Sequence, residues 1–171
     1  FERDTIVALN IVVLAKQVVD PEIPSASFTV DRETLMVSTP ANIPPVVNGF
    51  DENALEAALR IRDNHETIIT VIAMGQDFAM DVIKKCLSMG ADELVLIQDS
   101  ILKNSIDSFT TAKVLSTAIK QLDAFDLIIC GRQASDWDNA QVPQGVAELL
   151  GLPSLTLGRK VEVESNRVKV E

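Results

Sequence analysis

An apolar run, Asp126-Leu127-Ile128-Ile129-Cys130, passes into the polar stretch Gly131-Arg132-Gln133-Ala134-Ser135-Asp136-Trp137-Asp138-Asn139-Ala140-Gln141-Val142. A strand that ends in glycine and feeds a helix N-terminus can hold an anion. The first amide N–H groups of the helix have no intrahelical acceptor, and the helix dipole favours negative charge there. In a doubly wound sheet such a junction is a ligand site. The stretch has one arginine and neither lysine nor histidine. Backbone donors must therefore do most of any phosphate binding, with Arg132 the one charge that helps. Asp136 and Asp138 would repel a phosphate unless they point away, to cap the helix or to accept from ribose hydroxyls or an adenine amino group. Pro143 constrains where the helix begins, because a proline well inside a helix loses a bond and clashes with the turn before it. Asp138 or Asn139 is thus the expected N-cap of a helix from about Asn139 to Leu150. The plainer alternative makes Asp136, Asp138 and Asn139 turn and cap residues only. Trp137, the single tryptophan, could cover a base, face a partner protein or be a partly buried packing residue.

Other chemistry finds little support. No GxGxxG follows a strand, and neither a phosphate-binding GxxxxGK[ST] nor a GxSxG elbow occurs. His65 is the only histidine, so any Ser-His-Asp triad would depend on it; it falls near a predicted helix end and reads as a surface residue. Cys86 and Cys130 sit inside apolar runs and read as reduced core thiols rather than a disulfide or metal site. The net charge of -10, spread along the chain, argues against nucleic acid, which needs clustered Lys and Arg. The longest apolar run, residues 6–15, is interrupted by Asn10 and too short to span a bilayer, which takes about 20 apolar residues. The acidic residues before it are wrong for a signal peptide. A soluble, cytoplasmic chain without membrane insertion is expected.

The elements that would carry the loop can be read in order. With 171 residues, 47% hydrophobic and 23% charged, the chain reads as a single globular domain, with residues 154–171 a truncated hairpin extension. Residues 6–15 predict a strand buried on both faces. Residues 20–27 and 38–50, rich in proline, predict loops, with a short hairpin between them formed by residues 28–30 and 35–37. A helix is expected from about Asp51, with Leu55, Ala58, Leu59 and Arg62 on one face. Strand Thr67 to Met74, helix Asp77 to Met89 closed by Gly90, strand Glu93 to Gln98 and helix Asp107 to Leu122 follow. The strand ending at Cys130 and the helix after it complete the pattern. Four alternations of strand and helix predict a parallel sheet covered on both faces. After Pro153 the period becomes two: Leu155-Thr156-Leu157 and Val161-Glu162-Val163 lead through Ser165-Asn166 to Arg167-Val168-Lys169-Val170, an antiparallel hairpin.

At these residues the chain resembles the small (beta) subunit of electron transfer flavoprotein. Gly131-Arg132-Gln133-Ala134, Asp136, Asp138 and Ala140-Gln141-Val142 are similar to that family's signature loop. Lys16-Gln17-Val18-Val19-Asp20, Asn48-Gly49-Phe50-Asp51-Glu52 with the helix after it, and Met89-Gly90-Ala91-Asp92 agree in order and spacing. The resemblance covers nearly all of residues 10–171. It implies a doubly wound sheet of the adenine-nucleotide alpha-hydrolase-like type and a heterodimer with an FAD-carrying alpha subunit. It also implies a site for AMP or a second FAD, and an electron carrier, not an enzyme, serving acyl-CoA-type dehydrogenases through the intact complex. The ligand would touch Leu14, Ala15, Asn48, Gly49, Phe50, Asp51, Met74, Gly131, Arg132, Gln133, Ala134, Ser135, Asp136, Asp138, Asn139, Ala140, Gln141 and Val142. Gly49 stands where the family often has proline, and Pro143-Gln144-Gly145 where it usually has Gly-Pro. The chain also ends before the segments that embrace the alpha subunit. The alternative is a stand-alone adenine-nucleotide sensor of the universal-stress type, although the spaced glycine motif expected of one is missing.

Overall fold

The structure is a computed structural model that describes residues 8–27, 29–33, 37–38, 43–102, 107–164 and 167–171. Its central sheet has four parallel strands: β1 (Leu9–Ala15), β6 (Thr67–Gly75), β7 (Glu93–Gln98) and β8 (Leu127–Cys130). Their order across the sheet is β7-β6-β1-β8. The chain thus builds outward from β1 on one side, then returns to place β8 on the other, with Leu14 level with both Ile72 and Cys130. Strand order reverses between β1 and β8, and the helices on either side of that point lie on opposite faces.

Alternation along β1 sorts its side chains. Ile11, Val13 and Ala15 face a core built with α1 (Gly49–Arg62), α2 (Met80–Ile83) and α3 (Lys85–Met89). Val12 and Leu14 face a second core built with α4 (Ser108–Ile119) and α5 (Val142–Leu150). On α1 the buried residues Ala54, Leu55, Ala58 and Ile61 recur at helical spacing, so one stripe meets the sheet. On α4, Ala112, Leu115 and Ile119 do the same. A Cβ on Gly145 would come within 2.9 Å of Ala112 Cβ, so this glycine lets α5 lie close against α4 and fixes where the α5 N-terminus sits. This is the doubly wound parallel sheet that the alternation predicts.

Among the described residues, three antiparallel pairs lie outside the sheet: β2 (Gln17–Val18) with β5 (Val46–Val47), β3 (Thr29–Val30) with β4 (Val37–Ser38), and β9 (Val161–Glu164) with β10 (Arg167–Val170). The second is the expected short hairpin, of which Phe28, Thr34, Leu35 and Met36 lie outside the described residues. The third is the expected C-terminal hairpin, whose turn, Ser165-Asn166, also lies outside them.

Several expectations are corrected. Residues 38–50 are not loop throughout, because Val46–Val47 pairs with Gln17–Val18; a two-residue strand leaves no periodicity to read. Helix α1 begins at Gly49, and the helix expected from Asp77 begins at Met80 and is split at Lys84. Leu155 and Leu157 join no strand and are exposed. His65 is half-buried, its Nε2 3.0 Å from the carbonyl oxygen of Val163, joining the end of α1 to β9. Gly90 and Gly151 close their helices as expected, with φ of 128° and 69°. Among the described residues no helix is long and apolar enough to cross a membrane.

Leu55 is 1% exposed and sits at the centre of the α1 stripe. Replacing it with alanine is expected to cost about 2–5 kcal/mol. Denaturant unfolding would show a lower midpoint at unchanged slope; a loss under about 1 kcal/mol would mean that this face is not close-packed.

Candidate functional site

The carboxyl ends of β1 and β8 diverge into a cleft at the reversal of strand order, the position where open α/β sheets bind ligands. Its walls are Leu14, Ala15 and Lys16 from β1 and its exit, Asn48 and Asp51 from the start of α1, Leu115 from α4, and Cys130 to Pro143 in part from β8, the following loop and α5. Of the residues implied by resemblance, Leu14, Ala15, Asn48, Asp51, Gly131, Gln133, Ala134, Asn139, Ala140, Gln141 and Val142 border it. Gly49, Phe50, Met74, Arg132, Ser135, Asp136 and Asp138 do not. Met74 is half-buried near the end of β6, level with Ile97. Lys16, Leu115, Cys130, Trp137 and Pro143 border the cleft without having been singled out as ligand contacts.

Two buried polar residues build this site. Asn48, 1% exposed, precedes α1 but makes no side-chain cap on it. Its Nδ2 donates to the Gln133 carbonyl (2.8 Å) and its Oδ1 accepts from the Ser135 N–H (3.2 Å). Its own N–H donates to the Lys16 carbonyl at 2.8 Å. One residue therefore ties three segments: its backbone N–H joins the start of α1 to the exit of β1, and its side-chain amide holds the loop after β8. Asp51, 8% exposed, reinforces the knot, its Oδ2 accepting from the Lys16 N–H at 2.8 Å. Gly131 packs directly on this turn. A Cβ there would overlap Asp51 Oδ1 and approach the Phe50 carbonyl carbon at 2.7 Å. The glycine is needed because α1 comes so close, not because a ligand must.

The loop itself departs from its expected form. Helix α5 starts at Val142, with Gln141 at the N-cap position and Pro143 in the first turn. Neither Asp138 nor Asn139 caps it. Proline is favoured in the first helical turn, where its missing N–H costs nothing, so the helix starts about three residues later than expected. The extra residues are accommodated by Asp138 and Ala140, both with φ of 51°. Left-handed backbone is tolerated by aspartate but strained for alanine. Among the described residues, the N–H groups of Asn139, Ala140, Gln141 and Val142 have no hydrogen-bond acceptor. The Ser135 hydroxyl oxygen is buried and unpaired as well.

Charge is disposed so that the cleft can take an anion. Asp138 Oδ1 accepts from Gln133 Nε2 at 2.6 Å, and Asp136 accepts from Lys16 Nζ at 2.7 and 2.8 Å. Both carboxylates are thus engaged by side-chain donors, and neither borders the cleft. Arg132 donates from Nε to Gln133 Oε1 (2.9 Å), and its guanidinium lies 5.9 Å from the Phe50 ring centroid. It is not the cation of the cleft; Lys16 is. Trp137 is 57% exposed at the cleft's edge, which removes the packing reading. Burial pushes the Asp51 carboxyl up to about 7, against the opposing pull of the Asn48 side chain, the Lys16 N–H and charge, and the Gly131 N–H. Burial, helped by the Asp51 charge, also raises the Cys130 thiol to about 12. Cys86 is raised to about 11, mainly by burial. Both free thiols stay protonated and unreactive. Among the described residues no group of three or more His, Cys, Asp or Glu side chains could hold a metal.

A raised Asp51 pKa means that the native state keeps a proton the unfolded chain has lost. The resulting stabilisation is complete below pH about 4, where both states are protonated. It declines as pH rises and is gone above about 7, once the native carboxyl has ionised. Asp51→Asn removes this dependence. Melting temperatures across pH 5–8 are expected to show wild type losing ground to the variant up to about pH 7 and no further. A constant difference across that range would contradict the assignment.

Comparison with known proteins shows the family. Residues 36–171 match the family model described as the electron transfer flavoprotein domain. The chain is 41% identical to the electron transfer flavoprotein subunit beta of Thermoanaerobacterium thermosaccharolyticum, an alignment covering 95% of this chain and 60% of that protein. It is equally identical to the corresponding subunit of Megasphaera elsdenii, over 95% and 61%. It is 36% identical to the caffeyl-CoA reductase-Etf complex subunit CarD of Acetobacterium woodii, over 95% and 60%. The chain therefore spans about 60% of the length of these curated relatives. On these matches the chain belongs to the electron transfer flavoprotein beta-subunit family.

Proposed function

We propose that the cleft holds an adenine nucleotide, AMP or FAD, and that the protein works as the beta-type subunit of an electron transfer flavoprotein. In this reading it pairs with an alpha subunit carrying its own FAD, and the pair shuttles electrons between acyl-CoA-type dehydrogenases and an acceptor. The observation that carries the reading is the group of acceptor-free N–H donors from Asn139 to Val142 at the reversal of strand order. N–H donors that have no acceptor within the protein suit a phosphate.

The residues present fit such a ligand. The loop N–H groups from Asn139 to Val142 would hold phosphate. Leu14, Ala15, Leu115 and Val142 provide apolar walls against which a base or ribose can be buried. FAD bound here would supply reversible electron transfer, whereas AMP would serve as a structural ligand. This chain's own part is to bind, orient and exclude water; none of its side chains at the cleft is set up as a nucleophile.

Denaturing the purified protein and identifying the released nucleotide tests this directly. Close to one AMP or FAD per chain is expected. ATP, with or without turnover, or the absence of any nucleotide would contradict the reading.

A further inference from the structure

The cleft contains a cation whose position is fixed at its root and whose charge is held by the ligand loop. Lys16 leaves β1 at the reversal of strand order and borders the cleft. Its N–H donates to Asp51 and its carbonyl accepts from the Asn48 N–H, both at 2.8 Å, so its backbone cannot drift. Its ammonium bonds both carboxylate oxygens of Asp136, which lies 120 residues further along the chain. Lys16 and Asp136 side chains are 34% and 21% exposed, so the pair remains open to exchange with solvent ions.

We propose that Lys16 is the cation that receives the nucleotide's phosphate, and that Asp136 holds its ammonium beside the cleft until the phosphate replaces the carboxylate. The proposal rests on the nucleotide reading above. A phosphate monoester carries a charge of about -1.5 to -2 near neutral pH, more than a carboxylate. It also offers three acceptor oxygens to a donor that works as a point charge. The exchange keeps the lysine paired throughout and releases the Asp136 carboxylate, 21% exposed, to water. Arg132 cannot take this part from its present position, since it is bonded to Gln133, lies over Phe50 and does not border the cleft. The consequence is a chemical specificity: Lys16 distinguishes a phosphorylated nucleoside from the nucleoside alone and is indifferent to the base.

Calorimetric titration of the nucleotide-stripped protein with AMP and with adenosine separates the roles. Lys16→Gln is expected to weaken AMP at least tenfold while leaving adenosine within about twofold, a tenfold change corresponding to about 1.4 kcal/mol. Lys16→Arg should recover part of the AMP loss. Asp136→Asn, which frees the ammonium, should bind AMP at least as tightly as wild type. Equal weakening of both ligands by Lys16→Gln, or weakening of neither, overturns the proposal. So does a loss of AMP binding in Asp136→Asn with adenosine unaffected. A wild type that binds neither ligand overturns the nucleotide reading itself, and that failure shows before any substitution is made.

Discussion

The site depends on one buried amide. Asn48 is the residue type that most favours capping a helix through its side chain, yet here the side chain turns away from α1 and holds the loop after β8 at two points. Three chain segments far apart in sequence meet at this residue, and each supplies one wall of the cleft. A buried amide that lost its partners would cost roughly 1–3 kcal/mol for each group left unpaired. The arrangement is therefore specific as well as stabilising. Gly131 follows from it, because only a residue without a Cβ fits against a helix turn drawn in so closely. The left-handed backbone at Asp138 and Ala140 lies between this anchor and the start of α5.

Electrostatics explains how an acidic protein can offer an anion site. The net charge is -10, and three aspartates lie in or beside the ligand segments. Asp136 is neutralised by Lys16, and Asp138 is bonded to Gln133. Asp51, which borders the cleft, has its carboxyl raised to about 7 by burial, so near neutrality it carries only part of a charge. What borders the cleft is a run of acceptor-free N–H groups and a lysine whose charge is balanced by Asp136. The subunit's contribution to electron transfer, on the proposed reading, is this fixed polar environment.

Much of the frame was legible in the sequence. Apolar runs located β1, β6, β7 and β8 to within a few residues, because strands covered on both faces must be apolar throughout. The glycine after an apolar run, with a proline further on, located the loop. Other features left no local trace. Strand order depends on contacts between distant segments, and Lys16 and Asp136 meet only because of that order. Helix α5 starts later than the spacing predicts because two left-handed residues lengthen the loop, and a proline that favours the first helical turn marks the true start. Asn48 was flagged by family resemblance, but its task of holding the loop needed the geometry.

The Asn48 amide holds the loop in its ligand-ready shape. Hydrogen exchange on Asn48→Ala, read together with nucleotide content, tests it most directly. The account predicts faster exchange of backbone amides in residues 131–141, unchanged protection of β1 and β6, and a fall in bound nucleotide. A loop that exchanges as slowly as in wild type, or one that loosens while nucleotide content is fully retained, would contradict it.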